Sequence, residues 1–215
     1  NKTLRTKGFI MSIVTLNDRA VRSVTTFGSV NAGSMVFIKK LTASSSATLS
    51  FVDGSSDVVL DNTYKEYVFT FKDIHPATDQ VYLQFQGNAA GGSGYNETIT
   101  SSSFRSQHSE DGSAGEVGYK TDGDQAQGTG FQYISRSVGN DNDQTIAGYL
   151  HLFNPSSTTF VKHFIARTNV YLHVDYSQDT FTAGYFNTTS AIDEIQFKMS
   201  SGNIDAGDIC LYGIL

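Results

Sequence analysis

The segment 201–214 reads Ser201-Gly202-Asn203-Ile204-Asp205-Ala206-Gly207-Asp208-Ile209-Cys210-Leu211-Tyr212-Gly213-Ile214. A turn is followed at once by an alternating strand. The alternation places Ile209, Leu211 and Gly213 on one face of the strand and the residues between them on the other. Because a frayed apolar end would sit in water, we expect this strand to be tied into a sheet. The closing segment therefore predicts a β core.

Similar runs, rich in β-branched and aromatic residues and bounded by Gly, Asn, Asp and Ser, occur upstream. They predict strands at 35–41, 47–52, 64–71, 81–85, 130–134, 145–153, 159–166, 169–176, 181–186 and 192–199. In one of them, Tyr67, Phe69 and Phe71 share a face, which is the signal of a half-buried strand. About a dozen short strands without a long helix or an internal repeat predict an all-β fold, a jelly-roll-like antiparallel β-sandwich.

The chain divides into two parts by composition. Residues 1–33 combine a short apolar run at 9–16 with several basic side chains, and we predict an N-terminal arm or docking segment there. Residues 34–215 form the predicted β-sandwich domain. Within it, the polar and turn-rich stretch from 87 to 143 predicts exposed loops at a contact-making end, because Gly, Asn, Asp and Ser favour turns.

Composition excludes several classes of partner. Charged residues make up only 17% of the 215 residues, against about 25% in an average domain, and Ser, Thr, Asn and Gly take their place. The formal net charge of -6 argues against nucleic acid, because phosphate binding needs a basic footprint. No apolar run approaches the roughly 20 residues of a membrane span, and residues 1–10 lack the apolar stretch of a signal peptide.

The single cysteine, Cys210, leaves no intramolecular disulfide framework to stabilise the fold. We therefore expect the chain to fold in a reducing compartment, or without relying on oxidation. Cys210 alternates with apolar neighbours, which predicts a small buried hydrophobe and not a reactive thiol.

Two groups of residues have the chemistry of metal ligands. His151, His163 and His173 lie on neighbouring predicted strands, but an isolated strand histidine more often faces solvent or makes a hydrogen bond than binds metal. Four acidic residues lie in Gly- and Asn-rich turns: Asp122, Asp124, Asp141 and Asp143. Turn chemistry explains these positions, although calcium binding by the Asp-rich turns stays open. We expect no metal site.

Catalytic arrangements are also missing from the sequence pattern. A depolymerase would need two carboxylates about 5 to 10 Å apart, and no spacing pairs the available ones. No Gly-x-Ser-x-Gly elbow occurs in a strand-to-helix context. We therefore expect no enzymatic activity, no catalytic residues and no cofactor.

Sugar binding is the alternative that the aromatic residues raise. Tyr95, Tyr119 and Tyr133 border the Gly-rich middle of the chain and are the candidate binding residues, since exposed aromatic rings can stack on sugars. The same tyrosines could instead cap strand ends with a wet hydroxyl, which is a common role of an amphipathic aromatic side chain.

Several segments in order resemble a known family. They are Val14-Thr15-Leu16-Asn17-Asp18-Arg19-Ala20-Val21-Arg22-Ser23-Val24-Thr25 with Phe27-Gly28-Ser29, Tyr64-Lys65-Glu66-Tyr67-Val68-Phe69 with Ile74-His75-Pro76, Gly148-Tyr149-Leu150-His151-Leu152-Phe153-Asn154-Pro155-Ser156-Ser157-Thr158-Thr159, and the closing segment 201–214. In these segments the chain resembles a family of virion structural proteins from marine tailed phages, cyanophages among them. The segments are spread over nearly the whole length.

The resemblance implies a non-enzymatic virion structural protein of a tailed phage, in a fibre, tail or head appendage. It assigns no catalytic residues. The implied partners are other virion proteins and further copies of the chain, with a homotrimer favoured because appendages are commonly closed symmetric oligomers. Assembly in the host cytoplasm agrees with a chain that needs no disulfides. The alternative function is a host-receptor or carbohydrate-binding, lectin-like module that recognises a host-surface glycan.

Overall fold

A computed structural model describes residues 34–215, and the predicted N-terminal arm, 1–33, lies outside the described residues. The described part is all-β. Its strands are β1 (Met35–Thr42), β2 (Leu49–Val52), β3 (Glu66–Pro76), β4 (Leu83–Ala89), β5 (Ile99–Ser109), β6 (Gly115–Tyr119), β7 (Gln132–Tyr133), β8 (Ile146–Phe153), β9 (Lys162–Leu172), β10 (Tyr176–Phe186), β11 (Ile192–Met199) and β12 (Ile204–Ile214).

Two antiparallel sheets pack face to face as a sandwich, which confirms the predicted fold class. The larger sheet has eight strands in the order β1-β12-β3-β8-β9-β10-β5-β6, and the smaller has four in the order β2-β11-β4-β7. Strands β1 to β4 alternate between the larger and the smaller sheet, and the first strand, β1, pairs with the last, β12. That arrangement is compatible with the predicted jelly-roll type.

The core lies between the sheets and is built on phenylalanine rings. Phe197 of β11 is fully buried and makes ring contacts with four others: Phe51, Phe69, Phe71 and Phe85. Three of these contacts are edge-on, the arrangement that aromatic quadrupoles prefer. The predicted inward faces of β3 and β12 are both part of this core.

Beyond the smaller sheet, the larger sheet extends through β9, β10, β5 and β6, and the inner side of β10 and β5 is polar. Ser103, Gln178, Thr180 and Thr182 are all buried there. The chain between β6 and β8 covers this polar side, and the Ser101 hydroxyl donates to Gln132 Oε1 at 2.6 Å. Most of the buried polar side chains bond to one another: Ser103 Oγ lies 3.3 Å from Thr182 Oγ1, and Gln178 Nε2 donates to Thr180 Oγ1 at 3.0 Å.

Three details of the predicted strands are wrong. The predicted strands 159–166 and 169–176 are largely one strand, β9, because its pairing with β10 continues without a break through Arg167 and Thr168. Strand β5 runs into a stretch predicted as a loop, since its inner side is polar and gives no apolar alternation. Strand β4 continues to Ala89, inside the stretch from 87 to 143 that was predicted to form exposed loops.

The side chain of Cys210 is less buried than the sequence predicted. It is a free, half-buried thiol and not a fully buried hydrophobe. It pairs with Thr70 of β3 and Lys40 of β1, on the side of β12 that faces away from the core. The alternation was correct, but it placed Cys210 on the outer face, where neighbouring side chains cover it only partly.

Gly213 in the closing strand provides a test of the core edge. A Cβ at this position would lie 2.3 Å from a ring carbon of Tyr64, so a side chain must displace that ring. We expect Gly213→Val to lower the free energy of unfolding by about 1–3 kcal/mol, as overpacking does. Chemical denaturation measures the change. Gly118→Val in β6 is the control, because nothing lies within 4 Å of a Cβ there. Equal losses in the two variants would contradict this account of Gly213.

Candidate functional site

The three histidines that the sequence places on neighbouring predicted strands lie in separate environments. His151 of β8 contacts the Glu66 carboxylate through Nδ1, and the His163 ring packs against Tyr185 with centroids 5.7 Å apart. His173 follows β9, with Nδ1 3.3 Å from the Ser137 carbonyl oxygen. Within residues 34–215, no group of three or more His, Cys, Asp or Glu side chains is arranged to hold a metal ion.

Two of the turn aspartates have side-chain partners. Asp122 accepts a hydrogen bond from Arg136, which lowers the pKa of its carboxyl. Asp124 accepts a hydrogen bond from the Tyr119 hydroxyl. These contacts tie the turn after β6 to Arg136 of the segment after β7 and to Tyr119 of β6 itself.

Tyr95 and Tyr133 both lie over the outer side of the smaller sheet. The Tyr95 hydroxyl donates to Glu194 Oε2 at 2.8 Å, and burial together with this bond raises the pKa of Tyr95. Tyr133 pairs with Gln84 in β7 and packs edge-on against Tyr82, with centroids 5.0 Å apart. Their half-buried rings make contacts within the domain, and their sugar-binding role stays a prediction.

Tyr119 lies elsewhere. It is in β6, at the edge of the larger sheet, where it pairs with Phe104 of β5. Its ring faces away from the core and is 55% exposed. The structure therefore does not bring the three candidate tyrosines together on one surface.

Among residues 34–215, the surface with the most exposed apolar side chains is the outer side of the larger sheet, which we call the outer face. Seven large apolar side chains on it are between 37% and 79% exposed: Met35, Phe37, Phe104, Val117, Tyr119, Tyr149 and Ile165. They come from β1, β5, β6, β8 and β9, so the apolar character spans the sheet from one edge strand to the other. An exposed apolar surface of this kind marks an interaction site more often than an isolated exposed side chain does.

Strand register aligns many of these side chains into rows across the sheet. One row consists of Phe37, Tyr212, Val68, His151, Ile165 and Ala183. Phe37 and Tyr212 pack edge-on with centroids 5.6 Å apart. Val68 is only 4% exposed although it points away from the core, so its neighbours already form a packed layer on this side. The outer face is therefore an ordered surface.

A second row lies beside the first. Phe104 and Phe181 stack in parallel with centroids 4.7 Å apart, and Tyr119 flanks Phe104 on β6. The Arg167 guanidinium lies 4.8 Å from the centre of the Phe181 ring, and Arg167 pairs across strands with Tyr149. Arg167 thus covers part of the row with a cation–π contact and does not interrupt it.

Charges on the outer face are largely paired within the face. Arg167 donates from Nε and Nη2 to both carboxylate oxygens of Asp179, and Lys40 donates to Asp208 at 3.2 Å. The Thr42 hydroxyl and Lys40 lower the pKa of Asp208. Residues 34–215 as a whole carry ten Lys and Arg against twenty Asp and Glu. The outer face is therefore close to neutral on a domain that is strongly acidic.

Sequence reasoning placed the contact-making surface in the loops and missed the outer face. The sequence did contain a signal of the outer face, because several strands carry apolar residues at outward-facing as well as inward-facing positions. In β8, Leu150 and Leu152 face the core while Tyr149 and Phe153 face outward. Only the register between strands shows that such outward residues adjoin one another.

No protein-family model, curated protein or solved structure matches this chain. Residues 34–215 contain no helix that is long and apolar enough to cross a membrane. The candidate functional site is therefore defined by its geometry, as an apolar and internally neutralised sheet face.

Proposed function

We propose that this chain is a non-enzymatic structural protein of a tailed-phage virion, part of a fibre, tail or head appendage, and that it assembles as a homotrimer through the outer face. The observation that carries the assembly role is the pair of apolar rows exposed across the larger sheet. Soluble monomers rarely expose a contiguous apolar patch larger than a few hundred Å². Covering such a patch contributes about 25 cal/mol per Å² of apolar surface removed from water.

The proposed occupant of the outer face is another copy of the same chain. Identical acidic domains repel one another, and contact is most favourable where the charges are already neutralised. The Arg167–Asp179 and Lys40–Asp208 pairs neutralise the outer face from within. A strongly charged partner would find no unpaired counter-charges in these pairs, whereas a second copy needs none.

The virion part of the proposal draws on the resemblance of the sequence segments to marine phage proteins. Three of those segments, 64–69, 148–159 and 201–214, contribute to β3, β8 and β12. These strands are neighbours in the larger sheet, in the order β12-β3-β8. The resembling residues thus supply one contiguous part of the sheet whose outer side is the proposed interface. Assembly within the host cytoplasm belongs to the same proposal.

Light scattering coupled to size-exclusion chromatography tests the assembly role. The full chain has a mass of 23.4 kDa, and we expect a species of three times that mass at micromolar concentration. The proportion of trimer should persist in high salt, because apolar burial and not charge holds the interface. A monomer at all micromolar concentrations would contradict the proposal.

A further inference from the structure

The outer face has a hollow over strands β9, β10 and β5. A cavity of about 540 Å³ opens there, and the outward-pointing residues that line it include Ile165 of β9, Ala183 of β10 and Ser102 of β5. Ala183 pairs with Ile165 on one side and with Ser102 on the other, so the three form the floor of the hollow. Because the side chains of Ala183 and Ser102 are short, the surface of the sheet lies low at this point.

Aromatic rings border the hollow on two sides. On one side the His163 and Tyr185 rings pack together with centroids 5.7 Å apart. On the other side lies the stacked pair of Phe104 and Phe181, and a smaller cavity of about 160 Å³ continues the hollow up to this pair. The larger cavity alone is within the volume range of pockets that hold small molecules, so it has room for a large side chain.

The opposite end of the outer face carries a group of large apolar side chains, which we call the projection. It consists of Met35 and Phe37 of β1 with their cross-strand partners Ile214 and Tyr212 of β12. Met35 and Phe37 are each about half exposed, although both are large and apolar. Since β1 is an edge strand of the larger sheet, the projection lies at the border of the domain.

The projection and the hollow cannot meet within one chain. Five steps between neighbouring strands separate β1 from β10 in the larger sheet, which is about 24 Å at the usual spacing of strands. Both features also lie on the same side of one hydrogen-bonded sheet. A projection that enters this hollow must therefore come from another copy of the chain.

Charge also favours contact between these two parts of the outer face. Neither the projection nor the residues that line the hollow include a Lys, Arg, Asp or Glu side chain. Residues 34–215 carry twice as many acidic as basic side chains, so two copies repel one another least where both surfaces are uncharged.

From this arrangement we infer that the hollow of one copy receives the Phe37 and Met35 side chains of the next copy. The inference rests on the proposed assembly through the outer face and adds which parts of that face meet. A contact between two different patches is heterologous, and such contacts close into a ring when the rotation returns to the first copy. Three such contacts form the proposed homotrimer.

A photo-cross-linker at position 37 of the full chain tests which surface the projection contacts. In Phe37→p-benzoylphenylalanine the new side chain keeps an aromatic ring, and irradiation bonds it to a group that it touches. Mixing isotope-labelled with unlabelled chains identifies bonds between copies by mass spectrometry. We expect attachment within residues 100–104, 163–165 or 181–185 of a second copy, because these residues line the hollow.

The control is Val174→p-benzoylphenylalanine, because Val174 is 50% exposed but lies in the turn after β9, off the outer face. It should give no attachment to the hollow. Light scattering of the same samples separates this inference from the proposed function. An assembled chain whose position 37 attaches elsewhere, including to position 37 of its partner, overturns the inference alone and leaves the hollow to another occupant. A chain that stays monomeric overturns both.

Filling the hollow is a second test, and it leaves the projection unchanged. Ala183→Trp should raise the dissociation constant of the assembly by at least about tenfold, because the added ring takes the space assigned to Phe37. The matched control is Ala147→Trp in β8, since Ala147 is also exposed on the outer face but does not line the hollow. Circular dichroism checks that both variants keep their strands. Equal weakening in the two variants, or none in Ala183→Trp, would overturn the inference.

Discussion

Replacing Phe197 by alanine is expected to lower the free energy of unfolding by about 3–5 kcal/mol, the usual cost of deleting a buried phenylalanine ring. Domains of this kind have about 5–15 kcal/mol of stability in total, so the variant should be partly unfolded or close to it. The expected loss has two contributions. One is the transfer free energy of the ring, which the variant no longer gains on folding, and the other is the cost of the cavity that remains because the surrounding side chains close in only partly.

The position of Phe197 makes this effect large. Its ring lies at the centre of the core, with centroid distances of 5.3 Å to both Phe69 and Phe71 of β3 in the opposite sheet. Phe51 and Phe85, on the two strands flanking β11, lie 6.3 and 6.2 Å away. Four rings that are fixed by backbone pairing cannot all move into one cavity, so little of the lost contact is recovered.

Chemical denaturation at a fixed protein concentration measures the change, because the stability of an oligomer depends on concentration. Phe160→Ala is the matched control, since this phenylalanine is 68% exposed and the change should stay within about 0.5 kcal/mol. A loss below about 1 kcal/mol for Phe197→Ala would contradict the central role of this ring in the core.

The core could be predicted from sequence because its signal is local. In β3, Tyr67, Phe69 and Phe71 alternate with smaller or polar residues, and all three are buried in the core. Strand β5 could not be found this way. Its inner face carries Ser103 and Arg105, whose side chains bond to Thr182 and Gln178 of β10, so the sequence shows no apolar alternation there.

The surfaces of the domain were less predictable than its core, because they depend on the register between distant segments. Phe37 adjoins Tyr212 only through the pairing of the first strand with the last. Arg136 meets Arg105 at one cavity only because the segment after β7 covers the inner side of β5. A single sequence gives the face of each residue within its strand, but it does not give the neighbours of that face in the sheet.

The double variant Phe37→Lys with Ile165→Lys is expected to convert the proposed trimer to monomers. Both side chains lie in the first apolar row of the outer face and are about half exposed, at 56% and 50%. In the assembled interface each lysine would lose its hydration without gaining a counter-charge, since the acidic residues of the face are already paired. Each such loss costs several kcal/mol, so the dissociation constant should rise by at least about a hundredfold.

Light scattering over a range of concentrations measures this shift, and circular dichroism checks that the variant keeps its strands. Substitutions at half-exposed positions lower the free energy of unfolding of an isolated domain only slightly, so the monomer should stay folded. The control is Val174→Lys, because Val174 is equally exposed but lies in the turn after β9, off the outer face. If the control dissociates as readily, or the double variant stays trimeric, another surface holds the assembly together. If only the double variant dissociates while remaining folded, the apolar rows are the interface, because no other exposed surface of the domain was changed.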